Sequence, residues 1–225
     1  AGIISGVIMG SGLGYRISSI LTSVAGTSML LLLVLTMVVS LIMGMGVPTT
    51  AAYLVLASLV APTMIQLGIP PLAAHMFIFY FGCISSITPP VALAAYAGAG
   101  LAGCDPNKTG YKAFRLAFCS FLMPYLFVYN PVLLMEGGVL DILWSLVTAL
   151  IGAYLLASGF EGFFFRWSLK WFERPLMILG AVMLIVPGMV TDLVGIAIIV
   201  VEFVTEFMFK RSEKFVPVTV SQSTT

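Results

Sequence analysis

The sequence predicts an all-α integral membrane protein, and three observations carry that prediction. Of 225 residues, 60% are hydrophobic and only 8% are charged, where a soluble domain carries about a quarter charged residues. Mean hydropathy is +1.13. Two long apolar runs are interrupted, at Met43-Gly44-Met45-Gly46-Val47-Pro48-Thr49-Thr50 and at Ser85-Ser86-Ile87-Thr88-Pro89-Pro90. Lipid offers no partner to bare backbone groups, so non-helical chain at membrane depth must lie inside protein or beside a polar cavity. Two such breaks, rich in hydroxyls, Gly and Pro, are the pattern expected of the ion and substrate site of a secondary transporter.

Charge and cysteine content exclude other classes. The net charge of +1 gives no electrostatic case for nucleic acid. Cys83, Cys104 and Cys119 are odd in number and scattered, with no CxxC pair, and read as free thiols. The start carries no signal peptide pattern. Ala1 opens inside an apolar, Gly-rich segment without an initiator Met, and the chain is expected to be a fragment.

The elements follow in order. Residues 1–27 form a Gly-rich membrane helix or connector. Gly2, Gly6 and Gly10 have the small-xxx-small spacing of close helix contacts, and Arg16 makes the end of this segment interfacial. Residues 28–66 read as a re-entrant helical hairpin. Its arms, 28–42 and 51–66, are each short of the roughly 20 residues a span needs, and a polar tip at 43–50 separates them. One kinked spanning helix is the alternative. Gly68-Ile69-Pro70-Pro71 is a turn. Residues 71–102 form a discontinuous transmembrane helix, unwound at 85–90. After a polar turn at 103–107, residues 111–135 supply a transmembrane helix with a kink expected near Pro124 or Pro131. Residues 139–209 form a C-terminal transmembrane extension with a hairpin break at 187–192. The 160–174 segment is aromatic and basic, with Trp167 and Trp171 at interfacial spacing. Residues 210–225 form a polar tail expected to be disordered.

Lys and Arg set the orientation. Lys108, Lys112 and Arg115 place 103–115 in the cytoplasm, and Arg166, Lys170 and Arg174 place the aromatic-basic loop there too. Lys210, Arg211 and Lys214 do the same for the tail. Glu136 and Asp141 lie in a loop without Lys or Arg, which is therefore outside. Glu202 and Glu206, one turn apart, are expected to pair with Lys210 or Arg211.

The breaks offer oxygens to a hard cation. Thr49, Thr50, Ser85, Ser86 and Thr88 supply hydroxyls, and carbonyls near Gly44, Gly46, Val47 and Gly82 can join them. Pro48, Pro89 and Pro90 have no N–H and hold the chain open. Half-helices beginning near Thr50 and Val91 point their positive ends at the breaks, where each can hold a carboxylate. Sodium and an organic anion could thus bind side by side. No Asp, Glu, Lys or Arg lies between Arg16 and Asp105, which disfavours a carboxylate proton relay. His75, the single histidine, is given a packing or interfacial role. Paired acids, a His-Glu cluster, or a Ser–Lys or Ser–His pair are missing near the breaks, so an intramembrane enzyme is not expected.

Three motifs carry a resemblance: Gly44-Met45-Gly46-Val47-Pro48-Thr49-Thr50-Ala51-Ala52-Tyr53, Pro70-Pro71-Leu72-Ala73-Ala74-His75, and Ile87-Thr88-Pro89-Pro90-Val91-Ala92-Leu93-Ala94-Ala95-Tyr96. Over residues 1 to about 135 the chain resembles the second half of the large membrane subunit of TRAP (tripartite ATP-independent periplasmic) transporters. Its details resemble most the branch that fuses small and large subunits and pairs with TAXI-type binding proteins. The last 90 residues resemble the extension of some fused members, less specifically.

The resemblance implies an elevator-type, sodium-coupled symporter in the bacterial inner membrane. It implies the second inverted repeat of such a transporter, a re-entrant hairpin plus a broken helix. It further implies an organic anion, a carboxylate, delivered by a periplasmic solute-binding protein, and no cofactor beyond the coupling ion. Carried over by position, sodium would use Gly46, Thr49 and Thr50 with Gly82, Ser85 and Thr88, and substrate would meet Thr49, Thr50, Thr88 and Pro89. Two departures stand out. Many members have an Asp before the Thr-Thr pair, where this chain has Pro48, and a first repeat, expected in the N-terminal remainder of the permease, is not in the sequence. The alternatives are a divalent-anion sodium symporter, whose Ser-Asn-Thr tips are missing here, and a non-transporting membrane scaffold.

Overall fold

The computed structural model describes residues 3, 6, 7, 10–26, 28–164, 167–186 and 188–209, most of them helical. Gly2, Arg166, Pro187 of the expected 187–192 break, and the 210–225 tail with Lys210, Arg211 and Lys214 lie outside the described residues. The chain forms two compact units, residues 1–143 and 144–225.

In the first unit, α1 (Leu13–Ala25) follows Gly12, whose φ of 70° only glycine adopts freely. Helix α2 (Met29–Gly44) is capped by Ser28, whose hydroxyl accepts from the Leu31 N–H at 3.4 Å. It runs two residues past the expected end at 42. It stops at Met45 because Gly46 turns to φ 77° and Pro48 cannot donate. Helix α3 (Thr49–Leu59) starts two residues earlier than expected. Val60 then offsets it from a short α4 (Ala61–Gln66), because Pro62 removes a donor. Helix α5 (Pro71–Ile84) opens on a proline, whose missing N–H costs nothing at the first helical position. A 3-10 turn, Ser85–Ile87, follows it.

After the second break comes α6 (Leu93–Ala102), then α7 (Pro106–Ala117), capped by Asp105, which accepts from the Lys108 N–H at 3.0 Å. The transmembrane helix expected over 111–135 is interrupted. A 3-10 turn, Phe118–Leu122, separates α7 from α8 (Met123–Tyr129), and a second, Pro131–Leu134, ends the segment. Pro124 and Pro131 each delete a helical donor there.

Helix α5 is the centre of this unit, and α2, α3 and α8 all pack on it. Its Ala73, Ala74, Phe77, Ile78 and Phe81 are fully buried. Phe77 and Phe81 stand edge-on to each other at 4.9 Å, and Tyr125 of α8 stands edge-on to Phe77 at 5.3 Å. His75 Nδ1 lies 3.0 Å from the Tyr53 hydroxyl, joining α5 to α3. The Ser18 and Thr63 hydroxyls hydrogen-bond and join α1 to α4.

In the second unit, α9 (Val139–Glu161), which begins in the first, has 23 residues and is about 35 Å long. Among the described residues it is the one helix long and apolar enough to cross a bilayer by itself. The all-helical expectation fails locally in the aromatic-basic loop. There β1 (Phe163–Phe164) pairs antiparallel with β2 (Trp167–Ser168), Phe163 opposite Ser168. Helices α10 (Glu173–Ile185) and α11 (Met189–Phe209) then pack antiparallel on glycines. A Cβ at Gly180 would lie 2.9 Å from Ile198 Cγ2, and one at Gly195 would lie 2.7 Å from Leu184 Cγ. Trp144 Nε1 donates to Asp192 Oδ2 at 2.7 Å, tying α9 to α11. Glu202 is buried in α11 and has a partner.

Candidate functional site

The two sequence breaks meet in space. At the end of α2, a Cβ on Gly44 would lie 2.5 Å from Ser85 Oγ and 3.4 Å from Gly82 Cα. Gly44 is therefore the only residue type that lets α2 reach the end of α5 this closely. One on Gly46 would lie 3.9 Å from Val91 Cγ1. The start of α3 is at the same level. A Cβ on Gly82 would lie 3.9 Å from Ala52 Cβ and 4.0 Å from Leu56 Cδ1. The turn through Gly68 and Ile69, closed by Ile69 N–H donating to Met64 O at 3.1 Å, returns the chain to the start of α5. So α2 and α5 run in one direction and α3–α4 runs back. Residues 29–66 form a helical hairpin whose tip, 45–48, touches the break after α5.

The hydroxyls at that break are ordered by the helix end. Ser85 Oγ donates to Gly82 O at 2.6 Å, Ser86 Oγ to Cys83 O at 2.7 Å, and Thr88 Oγ1 to Ile84 O at 2.8 Å. A hydroxyl that donates its proton inward keeps its lone pairs for another partner. Ser85 is 1% exposed and Thr88 6%. Of the expected carbonyls, two are engaged. Gly44 O accepts from Val47 N–H, and Gly82 O accepts from Ser85. Among the described residues the carbonyls of Met45, Gly46 and Val47 accept no backbone hydrogen bond, and are the ones the tip can offer.

Of the predicted residues, the fold brings Gly82, Ser85 and Thr88 together at the α5 end, with Gly46 across from Val91. Pro89 is half-buried and joined to Pro90 by a cis peptide bond. Thr49 and Thr50 are exposed on the first turn of α3, which has no side-chain cap. Among the described residues the N–H groups of Thr49 and Thr50 donate to no backbone carbonyl, and they stand at the positive end of the helix. Among the described residues no group of three or more His, Cys, Asp or Glu side chains could hold a metal ion.

Three features escaped the sequence. Ser40 and Thr36, fully buried on the face of α2 that carries Gly44, have hydroxyls without a partner among the described residues. Their spacing with Gly44, four residues each, was the signal. Ala92, at φ 37° and fully buried, takes a left-handed conformation at the head of α6, where only glycine is at ease. Tyr96, one turn on, donates its hydroxyl to Pro90 O at 3.0 Å and latches the break to α6.

This arrangement, a hairpin tip set against a broken helix, lies wholly within residues 1–142. Those residues match the family described as Tripartite ATP-independent periplasmic transporter, DctM component. The chain belongs to the DctM family. DctM is the large membrane subunit of TRAP transporters, so this is a membrane transporter component, a secondary transporter permease. The DctM match ends one residue before the first compact unit does, at 143. No curated protein and no solved structure matches the chain.

Proposed function

We propose that this permease couples sodium entry to import of an organic anion, a carboxylate, handed over by a periplasmic solute-binding protein of the TAXI type. It works as a multi-pass protein of the bacterial inner membrane, in an elevator-type cycle. The observation that carries the reading is the contact of Gly44 with Gly82 and Ser85. It puts the free carbonyls of the hairpin tip beside the inward-donating hydroxyls of Ser85 and Thr88.

Sodium is a hard cation that takes oxygen ligands, and these oxygens are neutral. A bound sodium therefore leaves a net positive charge in a stretch without Asp or Glu from 17 to 104. An anion arriving beside it gains about 4 kcal/mol at 4 Å for an effective dielectric near 20. The uncapped first turn of α3, at Thr49 and Thr50, supplies donors for its carboxylate. Ion and substrate then favour each other reciprocally, which is what coupling requires. Gly46, Thr49, Thr50, Gly82, Ser85 and Thr88 serve sodium, and Thr49, Thr50, Thr88 and Pro89 meet the substrate.

The test is uptake of labelled organic acids by proteoliposomes holding the intact permease, with and without its binding protein and a sodium gradient. Uptake that needs both is expected. Uptake by permease alone, or without sodium dependence, would overturn the reading.

A further inference from the structure

Two hydroxyls on α2 find no bond within the fold. Thr36 Oγ1 and Ser40 Oγ are fully buried and have no hydrogen-bond partner among the described residues. The other buried Ser and Thr side chains there all have one. Thr63 is bonded to Ser18, and Ser85, Thr88, Thr148 and Ser158 donate to carbonyls one turn back in the chain. A helical Ser or Thr commonly bonds in that way, and leaving a buried hydroxyl unpaired is costly. Thr36 and Ser40 are four residues apart, so their Cβ atoms stand about 5–6 Å from one another on adjacent turns, and Gly44 is the next position of that face. Apart from these three, every residue of α2 is Met, Leu, Val or Ile. Helices α2 and α5 run in one direction and meet at Gly44 and Ser85, so one and two turns back Ser40 and Thr36 come level with Phe81 and Phe77. Both phenylalanines are fully buried.

We propose that Thr36 and Ser40 bind an internal water between their hydroxyls, and that this water and the two hydroxyls stabilise the positive charge of a cation at Ser85. The ligand follows from the donors present. Buried water with two to four polar partners is a normal part of a protein interior, and hydroxyls on adjacent turns are within reach of one molecule. An apolar occupant would leave both hydroxyls unpaired. A bare cation would meet two neutral oxygens, fewer than hard cations take. The second half of the proposal rests on the sodium reading above. No Asp or Glu lies between 17 and 104, so a cation at Ser85 is stabilised by dipoles alone. The Ser85 and Thr88 hydroxyls have their protons committed to Gly82 O and Ile84 O. Those of Thr36 and Ser40 can turn with the water, and side-chain hydroxyl dipoles orient in a local field. Ser40 is one turn, ~6 Å along the axis, from the Gly44 that abuts Ser85. At that range, away from bulk water, hydrogen-bonded dipoles polarise one another toward the charge.

X-ray radiolytic footprinting of the intact permease tests the water, because hydroxyl radicals made from a bound water mark the side chains beside it. Wild type should be labelled at Phe77 and Phe81, which bulk solvent does not reach, in sodium-free buffer as well as with sodium. T36V/S40A should lose that label. An unlabelled wild type, or equal labelling of the variant, would overturn the water site whatever becomes of the sodium reading. Thr36→Val alone separates a bonded hydroxyl from an idle one. Replacing an idle buried hydroxyl by an apolar isostere is neutral or stabilising, so the proposal predicts a lower melting temperature, and an unchanged or higher one would count against it. Sodium titration of uptake tests the charge. T36V/S40A should raise the half-saturating sodium concentration about threefold with the maximal rate kept, and Thr36→Ser, which retains the hydroxyl, should match wild type. A folded, unlabelled T36V/S40A with wild-type sodium dependence would overturn the electrostatic role. Wild-type uptake indifferent to sodium would remove that role together with the sodium reading, and the label would still decide the water.

Discussion

Thr88 shows how one side chain can serve the fold and a ligand together. Its hydroxyl proton satisfies Ile84 O at the frayed end of α5, and its lone pairs remain for a cation. Thr88→Ala should therefore raise the half-saturating sodium concentration for uptake about tenfold, the equivalent of ~1.4 kcal/mol. Thr88→Ser, which restores the oxygen, should stay close to wild type. A sodium titration in which both variants match wild type would remove Thr88 from the site. At this scale the sequence was informative where the chemistry is local. Ser85 and Thr88 stand beside prolines that open the helix, and their neighbours in the chain set their hydrogen bonds. It was silent where the partner is distant. The four-residue spacing of Thr36, Ser40 and Gly44 puts them on one helix face, but which helix covers that face, and so buries the Ser40 hydroxyl, is set by residues far along the chain.

Among the elements, the closest approach belongs to α2 and the end of α5. Gly44→Ala puts a methyl 2.5 Å from Ser85 Oγ, and Gly82 backbone just behind leaves it nowhere to go. Overpacking of this kind costs about 1–3 kcal/mol. The variant should melt several degrees below wild type in detergent, and sodium-dependent uptake should fall with it. Equal melting temperatures would mean that the hairpin tip and α5 are not in contact in the working protein. The elements themselves were legible from the sequence to within about two residues around both breaks, because Gly and Pro dictate backbone geometry locally. The segment 111–135 was not. Its apolar content predicts one helix kinked near Pro124 or Pro131, whereas the segment is broken by 3-10 turns at Phe118–Leu122 and Pro131–Leu134.

For the whole molecule, the family match and the division into compact units coincide, at 142 and 143. The oxygens of the candidate site all lie before that boundary, while the second unit is held by its own Gly180 and Gly195 contacts and the Trp144–Asp192 bond. Deletion of residues 140–225 should thus leave sodium dependence and substrate preference of uptake intact, while lowering the amount of permease assembled in the membrane. Normal assembly with uncoupled transport would place part of the coupling machinery in the extension.

The sequence by itself determined that this is an apolar, helical membrane chain with two hydroxyl-rich breaks. Composition, proline and glycine act on backbone conformation and solvation over a few residues, and those effects need no partner. Only the tertiary structure decided that the two breaks touch, that Ser85 and Thr88 are buried there, and that Thr49 and Thr50 stand exposed. It also decided that Ala92 is strained. Each of these depends on which helix packs on α5 and in which direction. That choice is made by the shape of buried surfaces many residues apart, where Gly44 admits an approach that any side chain would block.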